Sequence, residues 1–208
     1  MNRRTLLLGA AGAIVATLPG PGFAQSGEDA RDLTRITNYL NGITTMQGAF
    51  VQVGPDGDAS EGEFYMRRPG RVRFEYRPPN PTLIVADGTW VAVQDTRMNT
   101  LDRYPLGQTP LDILLSDRVD LRSAGAVQSI ERSGTQMRVT AVDPDNPGQG
   151  SITMVFNDNP LELTQWVVRD AQGLTTTVAL SNTRSNVQID PGKFFIEGGE
   201  GAGAGTNR

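Results

Sequence analysis

The chain has no histidine and no cysteine among its 208 residues. Without histidine there is no Ser-His-Asp or Cys-His relay and no imidazole proton shuttle. Without cysteine there is no thiol nucleophile and no disulfide, and with both missing the usual zinc ligands are gone. No glycine-rich phosphate loop follows a strand and opens a helix. Asp143, Asp145 and Asn146 lie close together, but their spacing does not match a calcium loop and prolines interrupt it, so they read as turn residues. A carboxylate pair could still hydrolyse a glycoside, yet nothing singles one out. No catalytic residue, metal or cofactor is expected, and the chain reads as a non-enzyme.

Long apolar runs are also scarce. The one candidate is at the start, where Met1-Asn-Arg-Arg forms a basic region before an Ala/Gly-rich apolar stretch at 5–18. That stretch is shorter than the roughly 20 residues of a spanning helix. Breakers follow, ending Gly22-Phe23-Ala24, so 1–24 reads as a removable signal peptide and the mature chain as exported to the periplasm. Arg3-Arg4 before Thr5-Leu6-Leu7 resembles a twin-arginine signal, and an ordinary Sec region carrying two arginines reads equally well. No cysteine stands at the cleavage site, so the chain is not expected to carry a lipid of its own. After cleavage, 17 basic residues oppose 23 acidic ones, a net charge near −6. That balance, with no long basic face, gives no support to nucleic-acid binding.

What is present is mostly short strands. One helix opens the mature chain, with Ser26 or Asp29 as cap and Leu33, Ile36, Tyr39, Leu40 and Ile43 on one apolar face. Strand patterns follow at 48–53, 61–68, 71–76, 82–86, 90–94 and 100–104, separated by Gly, Pro, Asn and Asp turns. The run 109–115 breaks the series as a short amphipathic helix, with Thr109 as cap, Pro110 first, and Leu111, Leu114 and Leu115 on one face. Strands resume at 126–132, 137–142, 151–156, 161–169 and 174–180, and a piece at 194–196 closes the sheet. Residues 25–197 then form one domain, and 198–208 is a flexible Gly-rich tail. A long antiparallel meander with one apolar face must curl to bury it, and its helices must cover the opening or the concave face.

The most informative stretch is the hairpin at 64–76. Alternation puts Phe64, Met66 and Arg68 on one face, and Val72, Phe74 and Tyr76 on one face after the Pro69-Gly70 turn. Arg68 therefore ends an apolar stripe, where a cation needs a partner. The same apolar pattern suits a closed core or a cavity wall, and Phe50 shares the ambiguity. Arg71 and Arg73 read as a solvated face, with partner docking open, and Trp90 and Trp166 as structural.

Four motifs occur in order: Met46-Gln-Gly-Ala-Phe-Val-Gln52; Gly62 to Tyr76; Val85-Ala-Asp-Gly88 with Trp90; and Thr109-Pro-Leu-Asp-Ile-Leu-Leu115. In that order and spacing the chain resembles the LolA family of periplasmic outer-membrane lipoprotein carriers. Beyond about Leu121 the resemblance is a strand pattern only. It implies a mainly β fold with helical inserts, an incomplete antiparallel β-barrel (a strongly curved sheet) with an α-helical lid over an apolar cavity. It implies that Arg68, the arginine before the signature proline, latches the lid by hydrogen bonds. Phe50, Phe64, Met66, Val72, Phe74 and Tyr76 would then line the cavity, and Leu111, Leu114 and Leu115 the underside of the lid. The partners implied are acylated outer-membrane lipoproteins, an inner-membrane ATP-driven releasing complex and an outer-membrane acceptor, served by a monomer without cofactor. Same-fold alternatives are a lipid- or lipoprotein-sensing module and a carrier of another lipid such as a glycolipid. A glycosidase or esterase using carboxylates is the alternative of a different class.

Overall fold

The computed structural model describes residues 26–195, and the expected signal peptide and tail lie outside the described residues. Helix α1 (Gly27–Asn41) starts at a capping box: the Ser26 hydroxyl accepts from the Asp29 N–H at 3.1 Å, and the Asp29 carboxylate accepts from the Ser26 N–H at 2.9 Å. Its apolar face packs fully, with Leu33 and Ile36 at 0% exposure. Gly42 ends it in a right-handed conformation, not the left-handed one that often recruits glycine.

Eleven strands follow: β1 (Thr45–Val53), β2 (Ala59–Arg67), β3 (Arg71–Tyr76), β4 (Thr82–Asp87), β5 (Trp90–Asp95), β6 (Thr100–Pro105), β7 (Val127–Ser133), β8 (Gln136–Ala141), β9 (Gly150–Asn157), β10 (Glu162–Asp170) and β11 (Thr175–Ser185). All pairings are antiparallel. The sheet runs β6-β5-β4-β3-β2-β1-β11-β10-β9-β8-β7. Two meanders are thus joined where β1 meets β11, and the sheet stays open between β6 and β7. The chain crosses from one open edge to the other through residues 106–126, which carry α2 (Leu111–Leu115).

Four local expectations are corrected. Thr109 does not cap α2; Pro110 occupies the N-cap position and no side chain caps the helix, because Thr109 instead closes a 3-10 turn at Leu106–Gln108. The strand expected at 194–196 is not formed over its described part: Phe194 ends a 3-10 turn, Pro191–Phe194, pinned by the Asp190 carboxylate accepting from the Gly192 N–H, and Ile196 lies outside the described residues. That turn lies against β3 and β4, on the face opposite the apolar interior, and buries Phe194 there. It also covers Arg73, which is therefore no solvated arginine: it pairs with Glu75 at 2.6 Å and donates to the Lys193 carbonyl. Trp90, expected to be structural, is 42% exposed at the edge beside β6.

The interior is built by complementary sizes. Phe50 lies directly opposite Gly62, and Phe64 opposite Gly48. A Cβ on Gly62 would fall 2.8 Å from the Phe50 ring, and one on Gly48 3.1 Å from the Phe64 ring. The two glycines leave the space that the two rings fill, which is how a close-packed interior is reached without voids.

Candidate functional site

The residues singled out in the hairpin converge. Phe50, Phe64, Met66, Val72 and Phe74 are buried in one apolar cluster, and Tyr76 packs against it. Phe50 meets Phe74 and Tyr76 edge to face at 5.0 Å, and Phe64 lies 6.3 Å from Phe74. Trp166 of β10 closes the group from the other meander, 6.4 Å from Phe64 and 6.2 Å from Phe74. The Tyr76 hydroxyl reaches Gln52 at 2.7 Å, and burial pushes its pKa up to about 12.

Both helices insert into the same cluster. Leu33, Ile36 and Leu40 come from α1, and Leu114 and Leu115 from α2, with Leu111 packed at the margin. In this closed arrangement the expected cavity wall and lid underside touch each other, so side chains of the helices occupy the space above the sheet. A separate cavity of about 310 Å³ lies beside α2, lined by Pro110, Ile113, Val119, Leu121, Ala141 and Val142 among others. None of the expected wall residues lines it. Asp112 and Asp143 flank it, and burial together with the Asp143 charge raises the Asp112 pKa. Asp143 is a turn residue as read: its oxygens accept from the Asp145 N–H and the Asn146 amide, both at 2.9 Å.

Arg68 sits just past β2, half-buried between the ends of the two helices. Its Nε and Nη2 donate to the Ser116 carbonyl at 2.9 and 2.7 Å, at the C-cap of α2. Nη1 donates to the Leu40 carbonyl in the last turn of α1, and reaches that of Ile43 at 3.5 Å. Nη2 also meets Asn41 Oδ1 at 3.2 Å and the Asp117 carbonyl at 3.4 Å. The acceptors are carbonyl and amide oxygens, not carboxylates. Burial lowers the Arg68 pKa and the Asp117 charge opposes that shift, but a guanidinium stays protonated in proteins. Helix α1 has no basic residue of its own in its last turn, so Arg68 supplies the cation that its C-terminal carbonyls favour.

Two further groups hold the same corner, and alternation in the sequence pointed to neither. The Gly70 N–H donates to the Leu115 carbonyl at 2.8 Å. Gly70 has φ +73°, and a Cβ there would come within 2.6 Å of the Gly88 Cα, so both conformation and space require glycine. Asn41, the last residue of α1, pairs with the Val119 main chain beyond α2. The paired turn residues Pro69-Gly70 marked the first; no sequence signal marked the second.

The geometry is that of an apolar sheet closed by two helices whose ends meet at one arginine. A family model described as "Outer membrane lipoprotein carrier protein LolA" matches residues 41–197, a span holding Arg68, α2 and all eleven strands. The chain belongs to the LolA family. An outer-membrane lipoprotein carrier protein of Alkalilimnicola ehrlichii is 31% identical over 194 residues, covering 88% of this chain and 86% of that one. The protein of that name from Chromohalobacter salexigens is 30% identical over 202 residues, covering 91% and 93%. The LolA relative from Halorhodospira halophila is 28% identical over 210 residues, covering 97% and 94%. Among solved structures, a DUF1329 family protein from Desulfovibrio piger shares the fold at a TM-score of 0.52 and 11% identity, covering 81% of this chain and 96% of that one.

Proposed function

We propose that this chain is a periplasmic, non-enzymatic carrier that binds the acyl chains of lipoproteins released from the inner membrane and delivers them to the outer membrane. Residues 106–126 act as its lid, and Arg68 as the latch. The observation that carries the reading is the Arg68 guanidinium bonded at once to the end of α1 and the end of α2, above an apolar interior that both helices fill.

The energetics suit a carrier. Each buried methylene is worth about 0.8 kcal/mol, so one acyl chain amounts to roughly 10 kcal/mol and cannot cross water exposed. A hydrogen bond to a charged group contributes only about 1.5–3 kcal/mol net. A lid held by such contacts, made by Arg68 to carbonyl and amide oxygens, yields to cargo and closes again when cargo leaves. Phe50, Phe64, Met66, Val72, Phe74 and Tyr76 would meet the acyl chains once Leu114 and Leu115 withdraw. The direction of transfer comes from partners: an ATP-driven releasing complex at the inner membrane and an acceptor at the outer membrane.

The test is release from spheroplasts by the mature protein. A soluble one-to-one complex with lipoprotein is expected, while release of free lipid, or of nothing, defeats the carrier reading. Arg68→Leu should fold and take up cargo but fail to pass it on; normal transfer by that variant removes the latch.

A further inference from the structure

Two side chains, three residues apart in what they hold, fix the segment leaving α2. Arg68 holds Ser116. Asn41 holds Val119, and does so in both directions: Nδ2 donates to the Val119 carbonyl at 2.9 Å, and Oδ1 accepts from the Val119 N–H at 2.9 Å. The side-chain amide thus gives Val119 what a neighbouring strand would. Aspartate has no donor to do this, and leucine has neither donor nor acceptor. Val119 is 2% exposed and belongs to the apolar cluster, so its polar main chain depends on such a partner.

We propose that Asn41 is a second clamp of the lid, a positioning residue that sets where residues 116–119 lie when the lid is shut. The proposal rests on reading 106–126 as the lid. The attachments at Leu115, Ser116 and Asp117 leave the chain beyond them free to pivot, and one at Val119 removes that freedom. Both attachments are made at the C-terminal end of α1. They are also joined to each other, because Asn41 Oδ1 accepts from Arg68 Nη2 at 3.2 Å. Loss of Asn41 therefore frees Val119 and loosens Arg68 together, and the two residues act as a coupled pair.

The test compares Asn41→Leu, Asn41→Ala, Arg68→Leu and the Asn41→Leu/Arg68→Leu double variant in the mature chain, well below the unfolding temperature. Leucine has the same branched heavy-atom skeleton as asparagine and a higher helix preference, which protects the fold. Amide exchange at residues 116–119 and the rate at which dansyl-undecanoic acid enters are followed. Both Asn41 variants should exchange Val119 and admit the probe about tenfold faster, with β1–β3 amides unchanged. The acceleration in the double variant should be smaller than the product of the two single accelerations. Acceleration spread equally over β1–β3 would mean a structural role only and overturns the clamp. No change with Asn41 while Arg68→Leu opens the lid overturns the clamp and leaves the lid standing. No change in any variant overturns both.

Discussion

Helix α1 is fifteen residues long and fastened to three parts of the second meander, whereas α2 is five residues long and fastened at one corner. On α1, Asp29 and Asp32 grip Arg132 of β7 at 2.8 and 2.6 Å, Arg35 reaches Asp158 at 2.9 Å, and the Tyr39 hydroxyl accepts from the Leu163 N–H of β10 at 3.0 Å. On α2 the ties are Gly70 to Leu115, Arg68 to Ser116, and Asn41 to Val119 just beyond. Both helices bury leucines in the same apolar cluster. Equal burial does not mean equal fastening: α1 has polar ties along its length and α2 at one end, which is the difference the proposed lid motion of α2 relies on. Segments that open locally are drawn from the less tied parts of a structure.

The largest effect that bears on this contrast comes from the core. Ile36→Ala should cost about 2–5 kcal/mol of global stability, read from the urea midpoint, because a fully buried side chain leaves a cavity. Leu115→Ala removes as much packing, but from the proposed lid. It should speed amide exchange across 106–126 more than it lowers the urea midpoint. If Leu115→Ala moves the midpoint as far as Ile36→Ala and leaves 106–126 no faster than the strands, the two helices are equally fixed and the comparison fails.

Gly70→Ala is next. It forces a Cβ against Gly88 at a positive φ, and should cost about 1–3 kcal/mol, concentrated at the corner that holds Leu115. Rapid exchange of the Gly88 and Leu115–Ser116 region with little change in β9 and β10 is the expected pattern. The smallest effect tests the other helix. Arg132→Ala should lower stability at neutral pH by about 1 kcal/mol and leave probe entry unchanged. The Asp29 carboxyl is held below its ordinary pKa of 3.8, first by the Ser26 N–H and then by Arg132. A carboxylate so shifted stabilises the fold fully above 3.8, and that contribution is lost as pH falls through the lowered value. Without Arg132 the acid unfolding midpoint should therefore rise, part-way only, because Ser26 still bonds Asp29.

Much of this architecture was legible from periodicity. Alternation placed Phe64, Met66, Val72 and Phe74 on the buried face, and all four are buried. The same parity isolated Arg68, because a cation continuing an apolar stripe is anomalous in any fold. Turn residues separated eleven strands with ends displaced by a few residues, β11 running five residues further than its pattern, to Ser185. Other features left no local trace. Trp166 reaching Phe64 and Phe74, or a C-terminal turn covering Arg73, joins residues some hundred positions apart. Asn41 reads as an ordinary helix-end residue, since a helix end accepts asparagine whether or not its amide has a distant task.

By itself, the sequence determined the elements, which face of each is apolar, and the chemistry that is absent, because side-chain period and residue type are local properties. Only the tertiary structure decided that β1 pairs with β11, that the sheet opens between β6 and β7, and that Arg68, Gly70 and Asn41 share one corner. Those outcomes depend on which distant surfaces exclude water together, and no window of residues contains that information.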